Sequence, residues 1–178
     1  VADARLMASQ LADIPGYEAT RKSIAENYNG LLWNGKEYRS PGYTGKTDDR
    51  GHSIAVLFGL AKPEQYPAIK DVFTREFHSS PYMEKYVLES LFHMNDADAA
   101  LTRMKSRYKK MVDSELSTLW EGWGVGPEGY GGGSYNHGWA GGPLALMMQY
   151  VTGVKPLEPA YARFVVEPQM AALVQAST

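Results

Sequence analysis

Hydrophobic positions fall along this chain in two kinds of block. In the first kind they keep to one side. Over 17–33, Tyr17, Ile24, Tyr28, Leu31 and Leu32 share one side, while Arg21, Lys22 and Glu26 take another. That is the spacing of an amphipathic helix. The stretch 63–77, opened by Pro63 and Pro67, reads the same way. So does 97–112, where Leu101, Met104, Tyr108 and Met111 form one stripe and Arg103, Lys105, Arg107, Lys109 and Lys110 form the other. This charge run reads as a solvated helix face. In the second kind of block, apolar residues run nearly all round. The stretches 50–61, 82–92 and 143–152 are of this kind, and a helix with no face to give to water predicts burial. A strand competes for the short run Ile54 to Leu60, but a cap before it and Pro63 after it favour helix.

Boundary residues divide these blocks. A first helix is predicted over 2–13, with Leu6, Met7 and Leu11 apolar, and Pro15-Gly16 breaks it. Asn34-Gly35 closes the second. Asp48 or Asp49 caps the third, where a carboxylate suits the positive end of the helix dipole. Ser80-Pro81 supplies a cap followed by proline at the first helical position. Asn95-Asp96 separates the block over 82–92 from that over 97–112, and Gly153 ends the one over 143–152. The one strand signal is Ala-Arg-Phe-Val-Val-Glu over 162–167.

All-round apolar helices thus alternate with helices that have one wet face. A simple four-helix bundle would make every helix amphipathic. Two concentric layers would not, because inner helices touch neighbours on every side while outer ones face water. The expectation is all-α: a partial (α/α)6 toroid of the six-hairpin type, made of helical hairpins, with a short β segment at its C-terminal end. Seven helices are predicted, where six closed hairpins need twelve. The polar loops 36–49, 78–81 and 113–142 each precede an inner helix, so in a toroid they emerge at one end. Asp48 or Asp49, Tyr82 with Glu84, Glu121, and His137 with Trp139 are then expected around one mouth.

Composition narrows the class. The chain has 178 residues, 44% of them hydrophobic, enough for one sizeable core. Net charge is −2 with both signs interspersed, which argues against a nucleic-acid surface and offers no polybasic membrane patch. No apolar run is long enough to insert in a membrane. Cysteine is absent, so no disulfide or thiolate metal site can form, though the compartment is not thereby identified. The histidines show no ligand spacing, and neither metal nor cofactor is expected. The chain starts at Val1, inside a predicted helix and without a signal peptide. It reads as a piece of a longer protein.

Chemistry concentrates in 118–150. Three of the four tryptophans, Trp120, Trp123 and Trp139, lie there, and ten of the eighteen glycines fall between Gly122 and Gly142. Glycine at that density favours tight, irregular backbone. Between the rings sit one carboxylate, Glu121, and one imidazole, His137. One reading makes Trp-Glu-Gly-Trp a buried corner with an exposed glutamate. The other makes it a sugar site, with aromatic faces for the C–H face of a sugar and polar groups for its hydroxyls.

The segments 118–124 (TLWEGWG) and 134–143 (SYNHGWAGGP) resemble the C-terminal part of the catalytic domain of bacterial α-L-rhamnosidases, glycoside hydrolase family 78. The stretches 47–61 (TDDRGHSIAVLFGLA), 80–91 (SPYMEKYVLESL) and 101–111 (LTRMKSRYKKM) fit the same group. The resemblance implies an (α/α)6 barrel over 1–155, then a linker and the start of a β-sandwich over 156–178. It implies inverting hydrolysis of terminal α-L-rhamnosyl linkages in an oligosaccharide or glycoside. Inversion needs two carboxyl groups about 6.5–9.5 Å apart, one acid and one base. The family's base glutamate matches Glu121. The acid belongs to an earlier acidic segment with no counterpart here, so the chain alone is expected to be inactive. A bacterial, periplasmic or secreted parent is implied, and exposed edges of a partial barrel would favour self-association.

For the other residues two readings stay open. His137 contacts a sugar hydroxyl or holds a loop. Trp120, Trp123 and Trp139 stack on sugar or wall the pocket, with at least one in the core. Asp49 and Arg50 bind sugar or merely start a helix with an ion pair, and Tyr82 is similarly divided. The functional competitors are a sugar-binding or structural toroid module, and another six-hairpin enzyme such as an unsaturated glucuronyl hydrolase.

Overall fold

A computed structural model describes residues 17–125 and 133–173. Among these, six α-helices and one small sheet form in the order α1 (Tyr17–Leu32), α2 (Asp49–Leu57), α3 (Tyr66–Arg75), α4 (Pro81–His93), α5 (Ala97–Val112), α6 (Gly142–Leu146), β1 (Val154–Pro156) and β2 (Phe164–Val166). The helix expected over 2–13 lies outside the described residues. No helix among them is long and apolar enough to cross a membrane.

The caps act where local chemistry put them. The Asp48 side chain accepts from Arg50 N at 2.8 Å, so Asp48 rather than Asp49 is the cap of α2. Ser80 caps α4 by accepting from Met83 N, with Pro81 at the first helical position. Asp96 caps α5, accepting from Ala99 N. Beyond α1, Asn34 Oδ1 accepts from Lys36 N and Glu37 N, and Gly35 takes φ +94, so the helix stops.

Packing follows the two kinds of block. Helix α4 is the centre, with Val87, Leu88, Leu91 and Phe92 buried. It packs against α2, α5 and α6. Helix α4 thus has α2 and α6 as neighbours in space, while α3 and α5 connect the three in sequence. Helix α3 buries Ile69, Val72 and Phe73 and wets its other side. This is the hairpin arrangement of a partial α/α toroid. Gly142 lets α6 approach α4 closely: a Cβ there would lie 2.6 Å from Lys85 Cβ.

Several expectations need correction. Helix α2 ends at Leu57, and Phe58 beyond it is exposed. The block predicted over 63–77 opens as a 3₁₀ turn, Pro63–Gln65, and its helix stops at Arg75. Helix α1 buries no residue fully. The segment after the glycine loop is not buried all round. It continues past Leu146 as a π-turn, Met147–Val151, in which Thr152 N donates to Met147 O at 3.0 Å. Leu146, Tyr150 and Val151 face the core, while Leu144 and Met148 are exposed. Tyr150 stacks on Phe92 with ring centroids 5.0 Å apart. The strand expected over 162–167 forms as β2, and it pairs antiparallel with β1, Val154 opposite Val166. Three residues ending in proline carry no period-two signal, so β1 was silent in the sequence.

The charge run of α5 is the largest correction. Arg103 is buried, not solvated. Its Nη2 meets Asp49 Oδ2 of α2 at 2.5 Å, and its Nε meets Glu84 Oε1 of α4 at 2.6 Å. Nη1 donates to the carbonyls of Phe73 and Glu76 at the end of α3. Asp49 and Glu84 are themselves fully buried. Burial works against the guanidinium charge, but hydrogen bonds and attraction from Glu84 and Asp49 outweigh it and hold Arg103 above its ordinary value. One side chain thus ties four helices together at one end. A hydrophobicity stripe cannot reveal a cation whose partners lie 54 and 19 residues away.

Candidate active site

That end of the helices carries the candidate site. The segments on either side of residues 126–132 are laced together. Glu121 N donates to Ser134 O at 3.0 Å and His137 N to Leu119 O at 2.8 Å. The Trp139 indole N–H donates to Glu121 O at 3.2 Å. Glu121 and Trp123 then form part of a cleft of about 530 Å³, with Trp139, Gly133 and the Phe77-to-Pro81 loop that leads into α4.

The Glu121 side chain is about one-third exposed. Its Oε2 accepts from Ser134 N at 2.8 Å and lies 3.5 Å from His137 Nδ1. Ser134 Oγ is 3.1 Å from the same imidazole nitrogen. Among the described residues Oε1 has no hydrogen-bond partner. Among the described residues the carboxylate is thus oriented through one oxygen and partly exposed in the cleft, an arrangement suited to accepting a proton from water. Glu121 is also the one carboxylate among the described residues that line this cleft.

The aromatic candidates divide. Trp123 lines the cleft, and its indole N–H donates to Ser79 O at 2.6 Å. Trp139 lines it too, with half its surface open and its ring 4.1 Å from the His137 ring. Tyr82 is likewise exposed and sits beside Trp139, centroids 5.6 Å apart, just outside the cleft. Trp120 does not line the cleft. It is buried edge-on against Tyr135, 5.3 Å away at 87°, as a core residue. His137 stands behind Glu121 rather than in the wall.

Asp49 and Arg50 separate from each other. Asp49 is buried, with Oδ2 on Arg103 and Oδ1 accepting from His78 N at 3.2 Å. It lies beneath the site and supports it. Arg50 opens onto a second cleft of about 430 Å³, shared with Asp48, Lys46, Tyr38, Tyr43 and His78. Its Nε lies 2.9 Å from Asp48 Oδ1. Burial would raise the Asp48 carboxyl, but hydrogen bonds from Arg50 hold it below the usual aspartate value.

His78 lines both clefts, so they adjoin at this residue. Sequence reasoning placed its loop at the mouth yet gave the residue no role. The signal was its position just ahead of an inner helix, and it was outweighed by the absence of ligand spacing. Arg107, behind Trp123, reads in the sequence as surface charge.

No family model matches the chain, and no match is found among curated proteins. Solved structures of similar fold are rhamnosidases. The chain is similar to the GH78 family rhamnosidase of Bacillus sp. GL1, at 22% identity and TM-score 0.61, over 75% of this chain and 16% of that one. It is similar to the α-L-rhamnosidase from Dictyoglumus thermophilum at 18% identity and TM-score 0.71, over 94% of this chain and 20% of that one. The chain therefore spans at most about a fifth of the length of either. At these identities the likeness shows a rhamnosidase-like fold.

Proposed function

We propose that this chain forms the C-terminal part of the catalytic (α/α)6 toroid of an inverting α-L-rhamnosidase, and that Glu121 is the general base. Residues 1–155 belong to the toroid, and 156–178 lead into a β-sandwich. The observation that carries this reading is Glu121 itself: a partly exposed carboxylate, held through Oε2, in a cleft that two tryptophans also line. The indole faces take the apolar face of the sugar. The base removes a proton from a water that attacks the anomeric carbon from the face opposite the leaving group. A second carboxyl group must protonate the leaving oxygen. The described residues of this cleft supply no such group; on this reading the acid belongs to another part of the enzyme, and the chain by itself binds rhamnoside without turnover.

The test is kinetic, on the enzyme containing this chain and an aryl α-L-rhamnoside. Glu121→Gln keeps the shape but cannot accept the proton, so turnover should fall roughly 10²–10⁴-fold with little change in substrate affinity. Azide should restore product formation as the β-configured glycosyl azide. Turnover near that of the unaltered enzyme would remove Glu121 as the base. Substrate binding with no hydrolysis by the complete enzyme would favour a sugar-binding module instead.

A further inference from the structure

Helix α5 sends a second arginine towards the site, and its geometry differs from that of Arg103. The Arg107 guanidinium lies over the Trp123 ring, 4.1 Å from the centroid. Its Nη2 donates to Ser79 O at 2.5 Å. The Trp123 indole N–H donates to that same carbonyl at 2.6 Å. A face contact and a shared acceptor therefore fix the ring at once. Tyr108, one residue further along α5, meets Trp123 edge-on at 5.0 Å and 83°. Arg107 also lies 5.5 Å from the Phe77 ring, and its Nε is 3.5 Å from Glu84 Oε2. Its side chain is mostly buried, and it is not among the residues that line the cleft. Burial pushes the guanidinium below its ordinary value, yet an arginine stays charged. A desolvated cation over indole is held more strongly than an exposed one.

Trp123 lies two residues from Glu121 on backbone without regular secondary structure. From the α5 side Arg107 and Tyr108 meet its indole, and of the two Arg107 shares the Ser79 carbonyl with it. We propose that Arg107 is a positioning residue: it clamps Trp123 against Ser79 O and thereby sets the cleft wall that carries Glu121. Lysine cannot replace it, because an ammonium group lacks the planar fork that stacks and donates sideways together. The positioning stands on geometry alone. Its consequence for ligand binding rests on the reading of the cleft as a rhamnoside site.

The two parts separate in one experiment. The chain is labelled with 5-fluorotryptophan, giving four fluorine resonances for its four tryptophans, and Trp123→Phe identifies the Trp123 signal. Arg107→Met should displace and broaden that signal while those of Trp33 and Trp120 stay in place. Arg107→Lys should displace it nearly as far, and Arg107→Gln, which retains a donor for Ser79 O, should restore it in part. If the methionine variant does not fold, the lysine and glutamine variants carry the test. A merely structural brace would lower the urea midpoint and leave the Trp123 signal where it was, and that result overturns the proposal. L-Rhamnose is then titrated into the same samples. Trp123 and Trp139 should respond in the unaltered chain, with affinity about tenfold weaker in Arg107→Met. Equal affinity in both would overturn the functional half. No response to rhamnose in any sample, with Trp123 still displaced by the substitutions, would sink the rhamnoside reading and leave the clamp standing.

Discussion

Replacing Arg103 by methionine tests the account of what holds these helices together. Methionine follows the path of the aliphatic stem, so little volume is lost. What disappears is charge. Asp49 Oδ2 loses a partner at 2.5 Å, and Glu84 loses contacts at 2.6 and 3.0 Å. Both carboxylates are fully buried. Removing one partner of such a group strands the others, at a cost of about 3–5 kcal/mol. The carbonyls of Phe73 and Glu76 also lose a donor, which pushes the loss towards the upper end. For a domain of this size that corresponds to a drop of roughly 6–20 °C in Tm. The measurement is urea unfolding followed by circular dichroism, with calorimetry alongside. Adding Asp49→Asn and Glu84→Gln removes the uncompensated charge, at the cost of the Glu84 partner 3.5 Å from Arg107 Nε, and should recover part of the loss. A loss below about 1 kcal/mol for Arg103→Met, or a triple variant no more stable than the single one, would refute the argument.

Two more outcomes are expected. His52 is buried, with Nε2 accepting from Tyr38 N at 2.8 Å and Nδ1 donating to Asp48 O at 2.7 Å. Burial pushes its imidazole below the ordinary 6.5. The unfolded chain takes the proton first, so the stability from neutral His52 is complete above about pH 6.5 and is lost as pH falls towards the folded value. Urea midpoints across that window should decline in the unaltered chain and less steeply in His52→Gln; parallel curves would disprove the assignment. The groove of about 430 Å³ between α5 and α6, edged by exposed Val112 and Leu144, should make the chain self-associate. Light scattering should show larger species that shrink with Leu144→Lys, and a monomer at high concentration would contradict this.

The helices were legible because their signals are local. Ser80-Pro81 and Asp96 start α4 and α5 where capping chemistry predicts. The all-round apolar run of α4 buries as its composition demands. Signals failed where the cause was distant. Nothing near Arg103 in sequence announces Asp49, and nothing near Trp123 announces Ser79. Within the site, Glu121, Trp123 and Trp139 were recognisable as aromatic rings around a lone carboxylate. Trp120 looked identical in sequence, and only packing against Tyr135 distinguishes it. His78 and Arg107 escaped because a histidine without ligand spacing and an arginine in a charge run both look ordinary.

The walls of the two clefts come from α1, from the loop before α2 with that helix's first turn, from the loop before α4, and from the segments around 121–139. The helices beneath them are joined by the buried charges of Arg103, Asp49 and Glu84, where removing one partner is costly. This splits the molecule into a part that can vary and a part that cannot. Doubling the length of a surface loop costs only about 0.6 kcal/mol in closure entropy, whereas one altered atom at Arg103 is felt in four helices. Descendants of such a chain can therefore diverge in what they grip by lengthening or rewriting one stretch at a time. The ion cluster below them would stay as it is, and differences in specificity would accumulate without any sign in the helices.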